Sequence, residues 1–138
     1  LDVYVPRHPM ENAPVVVIFY GGSWNSGSRA DYSFVGEALA SRGIVAVLAD
    51  YRLYPQVRYP AFLEDGAKAV AWTHEHIREY SGNPQRLYLM GHSSGAYNAQ
   101  VGLNGQMLDD RSSFYSVQAG HDSSSGSFGS GKINTIRP

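Results

Sequence analysis

The sequence predicts an α/β domain, an open parallel sheet of three to five strands with helices on both faces. Three observations carry this. Val15–Phe19, Ile44–Ala49 and Leu87–Met90 are short, continuous apolar runs, the pattern of strands covered on both sides. The stretches between them repeat apolar residues at helical spacing. The last run ends in Gly91-His92-Ser93-Ser94-Gly95, after which Ala96, Tyr97, Ala99, Gln100, Val101 and Leu103 are compatible with a helix.

In chain order, Asp2–Val5 alternates like a short strand and stops at Pro6, and residues 7–14 form a polar loop bounded by prolines. Strand 15–19 follows, broken by Tyr20-Gly21-Gly22-Ser23-Trp24 and a loop to Ser28. A helix is expected from Asp31 as its cap, with Phe34, Val35, Ala38 and Leu39 on one face and Gly43 as its stop. After strand 44–49 comes the loop Asp50–Pro55. The stripe Leu63, Gly66, Ala67, Val70, His74 and Ile77 then predicts a helix closed by Gly82-Asn83-Pro84. Strand, helix, strand, helix, strand, helix implies right-handed crossovers. Beyond Leu103 the texture changes: 104–113 is polar, 114–119 reads as one more strand, and 123–131 is rich in Ser and Gly. The expected organisation is one domain over 1–119 and a mobile tail over 120–138.

Composition narrows the function. A chain of 138 residues supports one small core. A net charge of -1, with the cations scattered, offers no footprint for nucleic acid or an anionic membrane. No apolar run approaches the roughly 20 residues of a membrane span, so a soluble, cytoplasmic protein is expected. With no cysteine there is no thiol nucleophile, and the five histidines lie apart, so neither a metal nor another cofactor is expected.

Gly91–Gly95 fits G-x-S-x-G, a sharp strand-to-helix turn that exposes its central serine at the sheet edge. Ser93 is the candidate nucleophile, against the plainer reading of a structural Gly-Ser turn. A β-carbon at Gly91 or Gly95 is expected to clash in such a turn. A serine hydroxyl needs a base to take its proton and a third group to orient that base. By chain order, Asp109 or Asp110 followed by His121 preserves the order Ser, acid, His. If 114–119 pairs in parallel beside the elbow strand, its carboxyl end delivers His121 and Asp122 to the edge that holds Ser93. His121 is the candidate base and Asp110 the candidate acid, with Asp122 and Asp109 as alternatives. A histidine in a Ser/Gly tract is equally readable as solvated. His92, inside the elbow, is expected to pack or hydrogen-bond away from the nucleophile, and His74, His76 and His8 are read as structural or loop residues.

Positions 1 to about 101 resemble the α/β-hydrolase superfamily, nearest its esterase/lipase and kynurenine formamidase-like group. The resemblance is carried by Tyr20–Trp24, by Asp50-Tyr51-Arg52-Leu53 with Pro55, by Pro60-Ala61-Phe62 with Asp65, and by Gly91–Gly95, in that order and spacing. It implies a serine nucleophile acting on ester or amide substrates, with an oxyanion hole from the amides of Gly22, Ser23 and Ser94. Tyr20 and Trp24 then either line an acyl pocket or pack under their loop, and Asp50 and Arg52 look like partners that hold loops. The resemblance also implies three further strands, bearing acid and histidine, which this chain is too short to contain. A frameshift or truncation near Val101 is therefore expected, and neither residue is carried over from the family. An elbow strand left at or near the sheet edge predicts a homo-oligomer, with exchanged elements as one form of it. The resulting expectation is a carboxylesterase for short acyl esters. Its rivals are an inactive fragment serving as an interaction module, and an arylformamidase or peptidase.

Overall fold

In the computed structural model, residues 1–8, 10–103 and 115–118 are described. The strands are β1 (Asp2–Tyr4), β2 (Ala13–Phe19), β3 (Val45–Leu48), β4 (Gly82–Gly91) and β5 (Tyr115–Gln118). They form one sheet in the order β1-β3-β2-β4-β5. From β3 to β5 every neighbour is parallel, while β1 runs antiparallel to β3, so the sheet is mixed at one edge. Strand β5 lies in parallel beside β4, which places the elbow strand one in from the edge of the described sheet.

The helices are α1 (Ser33–Ala40), α2 (Ala61–His76) and α3 (Ser94–Leu103). Side-chain alternation along β2 sorts them onto the two faces. Val15, Val17 and Phe19 join Val45, Val47, Leu87 and Leu89 in a core with Phe62, Leu63, Val70 and Ala99 of α2 and α3. Val16 and Ile18 join Ala46 and Leu48 on the opposite face, packed by Val35 and Leu39 of α1. Helices therefore cover both faces, as continuous β-branched strands require.

Three local readings need correction. Asp31 is not a helix cap: it sits inside a 3-10 turn, Arg29–Tyr32, where its carboxylate accepts from Ser28 N–H at 2.9 Å and Ser28 Oγ at 3.0 Å. Gly82-Asn83-Pro84 does not close the second helix. That helix ends at His76 and runs into a 3-10 turn, Ile77–Tyr80, which Ser81, left-handed at φ 64°, closes; β4 begins at Gly82, which pairs with Ala13. The ladder then resumes at Val15 and Leu87, so residues 83–86 bulge from it, with Asn83 Oδ1 accepting from Gln85 N–H at 2.9 Å. Finally, the buried stripe of α2 runs through Phe62, Leu63, Gly66, Ala69, Val70 and Thr73, leaving Ala67 and His74 only half-buried. Thr73 tolerates full burial because its hydroxyl donates to the Ala69 carbonyl at 2.7 Å.

Candidate active site

The carboxyl ends of β2, β3 and β4 lie side by side, and three loops leave them. After β4 the chain turns at Ser93, whose φ of +53° is costly for a residue with a β-carbon. Two glycines make the turn fit. A β-carbon at Gly91 would lie 2.1 Å from Gly95 O, and one at Gly95 would lie 2.2 Å from Phe19 O and 2.4 Å from Tyr20 O. The expected clash is thus present at both positions. Helix α3 starts directly at the turn, with Ala96 N–H donating to Ser93 O at 3.0 Å. Ser93 is exposed.

The loop after β2 presses against this elbow. A β-carbon at Gly21 would lie 2.7 Å from His92 Nδ1 and 3.1 Å from Ser93 Cβ. Gly22, Ser23 and Trp24 all have positive φ, at 138°, 52° and 58°. The Gly22 carbonyl accepts from Asn25 N–H at 3.0 Å and Ser26 N–H at 3.1 Å, which tightens the loop on itself. Among the described residues the amides of Gly22, Ser23 and Ser94 donate to no protein acceptor.

Tyr20 and Trp24 both pack. Tyr20 is buried, and its ring stacks on Tyr51 with centroids 4.5 Å apart. The pair is reciprocal: Tyr20 donates to the Tyr51 carbonyl at 3.3 Å and Tyr51 to the Tyr20 carbonyl at 2.6 Å. Burial, aided by nearby Asp50, pushes the Tyr20 phenol up to about 12, so it remains a neutral donor at working pH. Burial also raises the Tyr51 phenol, against the opposing effect of the Ser94 side chain. Trp24 is half-buried, donating to Asn98 Oδ1 at 3.0 Å, stacked on Phe62 and edge-on to Tyr97. An open cleft of about 800 Å³ lies beside the loop, bordered by Tyr20, Asp50, Arg52, Tyr54 and Lys68; Ser93 does not line it.

Asp50 and Arg52 hold loops. Asp50 accepts from Arg29 N–H at 2.8 Å and pairs with the Arg29 guanidinium, which also reaches Asp2 at 2.8 Å. Arg52 binds Asp65 through Nε at 2.7 Å and Nη2 at 2.8 Å, and its amide adds a third bond at 3.1 Å. The Arg52 guanidinium holds the Asp65 carboxyl below its ordinary value. A depressed carboxyl stabilises the fold above its unfolded pKa and loses that contribution as pH falls through the folded value. Asp65→Asn is therefore expected to melt below wild type above about pH 4, with the gap closing on further acidification. Thermal melts of both chains across that range check this; a gap that persists unchanged in acid counts against it.

His92 does hydrogen-bond away from the nucleophile, its Nδ1 lying 2.8 Å from the Tyr32 hydroxyl. His76 stacks on Trp72 and pairs with Glu79. Among the described residues no side chain hydrogen-bonds Ser93 Oγ, and no group of His, Cys, Asp or Glu suits a metal. His121, Asp110, Asp109 and Asp122 lie outside the described residues, as do 104–113 and the tail. No described helix is long and apolar enough to cross a membrane. Sequence reasoning missed Tyr32, which stands in no motif, and quoted Tyr51 within Asp50–Leu53 without reading its pairing with Tyr20, since the motif does not name a partner.

A mostly parallel sheet whose strand bends through a strained serine into a helix, beside a glycine loop, places the chain among the α/β-hydrolase esterases and lipases. It belongs to the BD-FAE family, whose profile matches residues 1–125. A protein of Oryza sativa subsp. japonica named probable isoprenylcysteine alpha-carbonyl methylesterase ICME is 38% identical over 103 residues, covering 75% of this chain and 25% of its own. Carboxylesterase NlhH of Mycobacterium tuberculosis is 37% identical over 94 residues, covering 67% and 30%. The structure of an esterase from Thermogutta terrifontis superposes with TM-score 0.65 at 34% identity, over 70% of this chain and 36% of that one. The same esterase is also described as phosphorylated by paraoxon. The chain thus spans about a quarter to a third of the length of these curated relatives.

Proposed function

We propose that the protein is a serine carboxylesterase acting on short acyl esters through an acyl-enzyme on Ser93. One observation carries the reading: Ser93 is held at φ +53° between glycines that admit no β-carbon, against the Gly21 loop. Such strain persists only where the surroundings enforce it, and it is characteristic of reactive sites. In this scheme Ser93 Oγ attacks the ester carbonyl while His121, oriented by Asp110, takes its proton. The unpaired amides of Gly22, Ser23 and Ser94 receive the oxyanion. Collapse expels the alcohol, which takes the proton back from His121, and water then hydrolyses the acyl-enzyme by the same exchange. Trp24 supplies apolar wall beside Ser23, and Tyr20 supports the loop from beneath. No cofactor enters the scheme.

One observation favours a second reading. Because no described side chain bonds Ser93 Oγ, an inactive fragment that serves as an interaction module is the competitor. Paraoxon or a fluorophosphonate followed by intact mass separates them. The expected result is one adduct per chain, absent in Ser93→Ala, with slow labelling and turnover in His121→Ala. An unlabelled wild type overturns the esterase reading, and undiminished turnover by His121→Ala removes that histidine from the scheme. We further propose self-association through the β5 edge, since β5 pairs on one side only among the described residues. Sedimentation is expected to show a dimer or larger species, and a monodisperse folded monomer overturns this.

A further inference from the structure

We propose that Tyr32 is a positioning residue of this site, its hydroxyl setting the spacing between the amide loop and Ser93 through Gly21 N–H and His92 Nδ1. The inference rests on the serine-hydrolase reading. The phenol oxygen is 3.4 Å from Gly21 N and 2.8 Å from His92 Nδ1. It accepts from the Gly21 amide, and in the tautomer that carries the ring proton on Nε2 it donates to His92 Nδ1. Among the described residues this is the one hydrogen bond that reaches Gly21–Ser23 from outside the loop, since the bonds to Gly22 O come from Asn25 and Ser26. Tyr20 and Trp24 are tied down on either side, to Tyr51 and Asn98. The short span between them, which carries the unpaired amides, depends on Tyr32.

Both ends of this strap are fixed. Tyr32 closes the 3-10 turn whose first residue, Arg29, is pinned to Asp2 and Asp50, and its ring packs into the cores on both faces of the sheet. His92 is held by its own amide, which donates to Phe19 O at 3.2 Å, and its ring leaves no room for a β-carbon on Gly21. The strap also uses up the Gly21 amide, so the donors open to an oxyanion are the next two along the chain. Small displacements of such donors lower the rate of acyl transfer while leaving ground-state binding intact.

The test uses the intact chain and compares wild type with Tyr32→Phe, which keeps the ring and removes the hydroxyl. Expected is a roughly tenfold slower phosphonylation of Ser93 and a similar fall in kcat on a nitrophenyl ester, with KM within about twofold and an unchanged melting temperature. His92→Asn, which keeps a polar atom near the Nδ1 position, is expected to retain most of the rate, whereas His92→Leu behaves like Tyr32→Phe. A labelled wild type matched in rate by Tyr32→Phe overturns the positioning role alone. So does a loss that only tracks the unfolded fraction. A wild type that takes no label overturns the hydrolase reading and the positioning role with it.

Discussion

Gly95→Ala is expected to lose roughly 3 kcal/mol of stability or more, enough to lower the melting temperature of a domain of this size by about 10 °C or more. The added methyl would sit 2.2 Å from Phe19 O, 2.4 Å from Tyr20 O and 2.6 Å from Phe19 C. All three atoms are backbone at the end of β2, so no side chain can swing aside. Relief requires α3 to retreat from β2, which pulls Ala99 out of the core and strains the bond from Trp24 to Asn98. Gly43→Ala is the comparison. Its φ is +80° but no atom lies within 4 Å of the new carbon, so it bears only the left-handed penalty of about 1–2 kcal/mol. Thermal unfolding of the two variants side by side checks the prediction. Equal melting temperatures would mean that helix and strand do not approach as closely as described.

Gly22→Ala is expected to slow acylation of Ser93 on the order of 100-fold, the cost typical of losing an oxyanion donor. Here the backbone itself must change. At φ +138° an L-residue is strained, and its β-carbon would lie 2.2 Å from Ser26 O, the residue whose amide closes the loop on Gly22. The loop opens and carries the Gly22 and Ser23 amides with it. Because this loop is partly exposed and lies above the core, the melting temperature should fall far less than in Gly95→Ala. Labelling rate measured by intact mass, with a melt on the same sample, separates the two effects. A variant that melts normally and labels at the wild-type rate would exclude these amides from the reaction.

Much of the site was legible because it is written in short-range pattern. Strands β2, β3 and the end of β4 are continuous apolar runs, and burial on two faces leaves them little choice. The elbow was legible for a steric reason, since glycines two residues to either side of a serine suit a turn with no space for side chains. The boundaries were harder. Asn83-Pro84 reads as a terminator, yet Gly82 already pairs with Ala13 and the ladder absorbs residues 83–86 as a bulge. Asp31 reads as a cap because the spacing does not distinguish an Asp before a helix from one inside a preceding 3-10 turn. The direction of β1 has no local signal at all, because three residues at an edge pair equally well either way until the following loop decides.

The amino-acid order alone determined the alternation of strand and helix, the α/β class and the position of the exposed serine. Each follows from residue size and polarity repeating over a few positions. What only the folded chain decided is which distant groups meet: Tyr51 with Tyr20 across 31 positions, Tyr32 with His92 across 60, Trp24 with Asn98 across 74. Those pairings depend on strand order and on how the crossovers bring loops to one edge of the sheet. A phenol or an indole carries no mark of its partner until the backbone has placed both.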